Sequence, residues 1–155
     1  MMQLTTSDLY FAAQAGIMRR ISAIRANRPE PYGALAEDLW GNDIESCAAE
    51  MLVARAFGVN WIPYANNPQS ITADVGDNIQ VRSTRRDNGC LLLHKEDKDD
   101  HIYVLVTGSG IQKRIRGCIL GSDGKRSEYW RESTGRPCYF VPQSKLSGIA
   151  DMRHG

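Results

Sequence analysis

The chain has 155 residues, 42% of them hydrophobic and 24% charged, with a formal net charge of +1. This composition excludes a disordered polyelectrolyte, and the lack of any apolar run long enough for a bilayer excludes a membrane-spanning chain. The near-zero charge excludes a strongly basic body, so a nucleic-acid partner would have to meet a local patch.

A single domain covering residues 1–155 is expected, because a chain of this length buries roughly two thirds of its unfolded surface without staples. Cys47, Cys90, Cys118 and Cys138 form no C-x-x-C pair and read as free, mostly buried thiols in a reducing cytoplasm, not as zinc ligands. The segment Met1–Asp8 has neither a basic nor an apolar stretch of the kind an export signal needs.

The first predicted element runs from about Ser7 to Asn27, where Leu9, Ala13, Ile17, Ile21 and Ile24 recur at helical spacing and Thr6 or Ser7 serves as cap. Its C-terminal half carries Arg19, Arg20, Arg25 and Arg28, which suit the helix dipole and read as a solvated face. Pro29 and Pro31 then break the chain, so the N-terminal helix is placed within residues 1–28.

Asn42 and Glu45 read as a capping box that opens a second helix, which runs to about Phe57 and stops at Gly58. Apolar residues fall on all its sides, so neighbours should cover it almost all round. Glu45 has a local explanation as cap. Glu50, in mid-helix and flanked on its face by Ala54 and Phe57, has none.

Strand-like segments follow at about 71–75, 78–84, 90–94, 102–107, 115–120 and 138–142, separated by turn signals and by the charged run 95–101. Between them, 121–136 is polar and reads as a long loop or short helix. Helices followed by strands predict an α+β or mixed α/β protein with a central mixed sheet flanked by the helices. On the segment 78–84, Ile79 and Val81 choose the core, which leaves Gln80 and Arg82 side by side on the opposite face. The Gly76-Asp77 turn brings Asp74 close to them from the neighbouring strand.

This order, a helical Glu50, then Asp74, then Gln80-Val81-Arg82, resembles the PD-(D/E)XK nuclease superfamily, whose signature is a helical Glu, an Asp and a (Glu/Asp/Gln)-x-Lys pair on adjacent strands. The runs Glu50–Gly58, Ala73–Gly76, Val104–Gly108 and Gly135–Gln143 are similar to small uncharacterised phage and bacterial proteins grouped with it. The resemblance covers residues 40–146 and implies a restriction-endonuclease-like fold and a phosphodiester hydrolase. Glu50, Asp74 and Gln80 would hold Mg²⁺ or Mn²⁺ through hard oxygens, with DNA ahead of RNA as substrate. Arg82 stands where the family has lysine; a guanidinium stays protonated, so it would stabilise phosphate charge and not act as base.

Each residue also has a structural reading. Asp74 belongs to an ordinary hairpin turn, Gln80 and Arg82 to a solvated sheet face, and Glu50 to an ion pair with an arginine such as Arg19 or Arg82. Two competing functions follow: a non-catalytic nucleic-acid-binding module on the same fold, or a phage structural or assembly protein docking through Tyr139-Phe140-Val141-Pro142. A homodimer would suit cleavage of long DNA, in the cytoplasm of a bacterium or phage-infected cell. His94–His101 lacks the glycine and terminal Glu of an EF-hand and reads as a solvated loop, and Gly121–Arg126 reads as a turn and not a P-loop. Three histidines and no G-x-S-x-G leave a serine or cysteine hydrolase without support.

Overall fold

The computed structural model describes residues 2–29, 38–64, 73–132 and 135–153. Two long helices open the chain, α1 (Thr6–Arg25) and α2 (Leu39–Phe57), and they pack against each other. Among the described residues six strands follow, β1 (Ile79–Thr84), β2 (Leu91–Leu93), β3 (Ile102–Thr107), β4 (Arg114–Leu120), β5 (Trp130–Arg131) and β6 (Cys138–Val141). The protein is α+β. Its strands divide between two three-stranded sheets, a mixed one in the order β1-β3-β4 and an antiparallel one in the order β2-β6-β5.

Alternation along β3 explains this layering. Val104 and Val106 face the helices, in a core with Ala12, Leu52, Val53, Ile79 and Cys118. Tyr103 and Leu105 face the other way, into a second core with Leu91, Leu93, Ile119, Tyr129 and Val141. A strand covered on both faces reads as one continuous apolar run, and Ile-Tyr-Val-Leu-Val is such a run. The mixed sheet is therefore a middle layer, with helices on one side and the small antiparallel sheet on the other. Tyr139 and Val141 of the late aromatic segment are used within the fold: Val141 is buried, and the Tyr139 ring meets Trp130 edge-on at 4.8 Å.

The buried face of α1 is not the one its large apolar residues mark. Ala12, Ala15, Gly16 and Arg20 are buried, whereas Ile17 and Ile24 are exposed. Small side chains win that face because α2 approaches closely there: a Cβ on Gly16 would lie 2.6 Å from the Ile44 backbone. Of the four arginines read as a solvated face, Arg25 and Arg28 are exposed, but the other two are not on it. Arg19 and Arg20 both turn toward α2, and Arg20 pairs with Asp43 at 2.6 Å.

The caps also differ from the expected ones. Thr5, not Thr6 or Ser7, caps α1 in a reciprocal box with Asp8, whose carboxylate accepts the Thr5 N–H at 2.7 Å. Asp8 also accepts from both terminal nitrogens of Arg55 on α2, at 2.9 and 2.7 Å. The Asn42–Glu45 box does not open α2, which begins at Leu39, because the Glu45 carboxylate is drawn to buried Lys113 and to the Gly110 N–H at 3.2 and 3.3 Å. Gly58 does end α2, in the left-handed conformation at φ 72°, with the Gly58 and Val59 N–H groups closing on Arg55 and Ala54.

The Arg55 guanidinium and the Thr5 N–H hold the Asp8 carboxyl well below the usual range. A depressed folded value contributes stability that is present above the ordinary carboxylate range and is lost as the pH falls through the folded value. Asp8→Ala should thus cost about 1 kcal/mol at neutral pH, as loss of a capping group does. The gap to the parent protein should close as the pH is lowered beneath the ordinary carboxylate range. Urea titrations at pH 7 and at acid pH check both; a pH-independent gap would remove the charge from the explanation.

Candidate functional site

Gln80 and Arg82 lie on β1, Asp74 bonds to its outer edge, and Glu50 acts on Asp74 through its charge from α2. β1 lies at one end of the mixed sheet, so among the described residues one side of its backbone has no neighbouring strand. Val75 fills part of that side through a tight antiparallel bridge to Ile79, with N–H···O distances of 3.0 and 3.2 Å. Asp74 fills the next position with its side chain, Oδ2 accepting the Val81 N–H at 2.8 Å. Of the predicted strand 71–75, residues 71 and 72 lie outside the described residues, and Val75 forms only this isolated bridge.

Asp74 therefore stands between two charged groups. On the helix side, the buried Glu50 of α2 is gripped by Arg19 of α1, with Nη1 and Nη2 each 2.8 Å from one carboxylate oxygen. Arg19 Nε donates to the Tyr64 carbonyl at 2.7 Å, which fixes the plane of the guanidinium. Of the two arginines that could have paired with Glu50, Arg19 does so. It comes from the helix whose small-residue face brings it within reach.

On the other side, Gln80 and Arg82 share the face away from Ile79 and Val81, as the alternation requires. They turn toward the 94–101 loop. Gln80 Nε2 lies 3.2 Å from Nδ1 of the buried His101, and Arg82 Nη2 donates to Asp97 at 3.0 Å while its guanidinium stacks 5.1 Å from the Tyr103 ring centre. Asp97 is itself held by the His94 N–H at 2.8 Å. The loop is solvated at Lys95, Glu96 and Lys98–Asp100, but its ends supply partners to β1. Charge density hid these two residues, because a run of mixed acids and lysines looks wholly external.

The electrostatics follow from burial. Burial pushes the Glu50 carboxyl upward against the pull of Arg19, and the Asp74 charge pushes the same way. Burial likewise raises Asp74, opposed by the Val81 N–H and by the Arg82 and Arg19 guanidinia. For Arg19, burial disfavours the charge, but Glu50 outweighs it and the proton is held more tightly than usual. The Trp61 indole nitrogen is buried near enough to Glu50 to pull on its carboxyl and has no hydrogen-bond partner among the described residues. Cys47, beside this pair, has its thiol pushed up to about 12 by burial, so it holds no thiolate for nucleophilic work.

A divalent cation needs several oxygens aimed at one point. Both oxygens of Glu50 are taken by Arg19, Oδ2 of Asp74 is taken by Val81, and the Gln80 amide is turned to His101. Among the described residues no three His, Cys, Asp or Glu side chains gather around a common point. A bound Mg²⁺ or Mn²⁺ would have to compete with Arg19 for Glu50: in this arrangement the cation on Glu50 is the protein's own guanidinium. No family model, curated protein or solved structure matches the chain.

Proposed function

We propose that the chain is a nucleic-acid-binding module with a nuclease-like, restriction-endonuclease-like core, acting on DNA without cutting it. The observation that carries this reading is the two-pronged Arg19–Glu50 pair at 2.8 Å beside Asp74. The acidic centre has the residue order of a phosphodiesterase but is already neutralised from within. Arg82 in the lysine position points the same way, since it stays protonated and serves phosphate charge, not proton transfer.

A second reading is favoured by one feature of the same site. Asp74 lies within electrostatic range of Glu50, and both carboxyls are shifted upward, as acids gathered for a common purpose are. If Arg19 releases Glu50, the protein would be a Mg²⁺- or Mn²⁺-dependent endonuclease.

One experiment tests both readings. Single-stranded, duplex and branched DNA, and RNA, are incubated with the purified protein in Mg²⁺, Mn²⁺ or chelator, and binding is titrated against salt. The expected result is binding that weakens with salt, because phosphate contacts release counterions. Products should not exceed those of Asp74→Ala. Metal-dependent cleavage abolished in Asp74→Ala would establish the endonuclease and overturn the first reading. Absence of binding at low salt would remove nucleic acid altogether.

A further inference from the structure

The register of the mixed sheet gathers cations at one end. Thr84 at the end of β1 pairs with Thr107 at the end of β3, which pairs with Arg114 at the start of β4. Arg85 and Arg86 follow directly on Thr84, so three exposed arginines, 85, 86 and 114, flank the same end of the sheet. The Arg116 guanidinium ties the two sides together, donating to the Thr107 hydroxyl at 2.7 Å and meeting Asp87 at 3.3 Å. The Arg85 guanidinium lies against Gly41 in the first turn of α2.

The acids nearby are already matched: Asp87 by Arg116, Glu45 by Lys113, and Asp43 by Arg20. Arg85, Arg86 and Arg114 have no ion pair or side-chain hydrogen bond among the described residues. A protein whose whole net charge is only +1 thus concentrates an excess of three positive charges at one end of one sheet.

We infer that this end of the sheet, with Arg85, Arg86 and Arg114 at its centre, is a contact surface for the phosphates of a DNA strand. The inference rests on the nucleic-acid reading above and places its interface away from the Glu50–Asp74 centre. Thr84 and Arg114 sit two strand spacings apart, about 10 Å. Successive phosphates of one strand rise about 3.4 Å along the duplex axis, so side chains extended from both margins can reach neighbouring phosphates of one strand. Arginine forks suit this target because each presents paired N–H donors to phosphate oxygens and stays charged.

The test compares the parent protein with the triple variant Arg85→Gln, Arg86→Gln, Arg114→Gln, and with a control, Arg126→Gln, Arg131→Gln. Binding to a duplex DNA oligonucleotide is followed by fluorescence anisotropy from about 0.05 to 0.3 M salt. Loss of three phosphate contacts should lower the slope of log K against log salt by roughly 2.7 and weaken binding at least about tenfold at low salt. The control should bind like the parent. Melting curves of the parent and the triple variant should match, since the three replaced side chains are exposed and make no ion pair or side-chain hydrogen bond among the described residues. Parent-like binding by the triple variant would overturn the interface and leave the nucleic-acid reading standing. Failure of the parent itself to bind would overturn that reading, and the interface with it. Binding to vesicles containing phosphatidylserine that the triple variant loses, with DNA binding intact, would assign the surface to a membrane and also overturn the inference.

Discussion

Arg19→Ala should lower the unfolding free energy by about 3 to 5 kcal/mol, the cost of leaving a buried charge without its partner. Glu50 is only 6% exposed, and its two oxygens have no comparable replacement once the guanidinium is gone. Glu50→Gln should cost less, about 1 to 2 kcal/mol, because the amide carries no charge to strand and Arg19 keeps the Tyr64 carbonyl and partial access to solvent. Replacing both together, Arg19→Met with Glu50→Leu, should recover most of the loss, since apolar side chains of similar volume fill such sites at little cost. Denaturant titration of the three variants reads all of this. A loss under about 1 kcal/mol for Arg19→Ala would mean that Glu50 is hydrated or protonated in the folded protein and that the pair does not organise the site.

Gly16→Ala should destabilise the protein by about 3 kcal/mol, although helix propensity alone predicts a gain of about 1 kcal/mol. The added Cβ would stand 2.6 Å from Cα and N of Ile44 and 2.9 Å from the Asp43 carbonyl carbon, all backbone atoms of α2 that cannot swing aside. The two helices would have to separate. Arg19 lies three positions further along α1, on the same side as Gly16, so separation would also draw its guanidinium away from Glu50. A melting temperature that falls, together with altered fluorescence of Trp61 beside Glu50, is the expected result. A higher melting temperature would show that the interface is looser than the contact distances require.

Much of this architecture is visible in the residues themselves. Alternation places Ile79 and Val81 opposite Gln80 and Arg82, and the all-round apolar character of α2 announces a helix buried from Cys47 to Ala54. Other features are decided by partners distant in sequence. The face that α1 buries is chosen by close approach to Ile44, so alanine and glycine displace the isoleucines that periodicity favours. Glu45 abandons a local cap for Lys113, a partner in the connection between β3 and β4. The division into two sheets depends on β2 leaving the connection between β1 and β3 to pair with β6, and nothing local to Leu91–Leu93 records that choice. At the candidate site, the acid left unexplained by its helix, Glu50, was legible as unusual. That its partner is a guanidinium depends on α1 and α2 meeting where they do.

Both margins of the mixed sheet are covered in part by the chain itself. On β1 the bridge from Val75 and the Asp74 carboxylate occupy outward-facing backbone groups. On β4, Ser147 exchanges hydrogen bonds with Cys118 at 2.8 and 2.9 Å, and it can lie that close because Gly117, at φ 142°, has no Cβ to collide with Leu146. A sheet finished in this way offers little free backbone to a strand from another molecule. A second copy could pair at these positions only by displacing the chain's own bridges. Asp74, a candidate for chemistry by its place in the sequence, thereby also covers a backbone donor at the sheet edge, and replacing it should be watched for loss of solubility as closely as for loss of function.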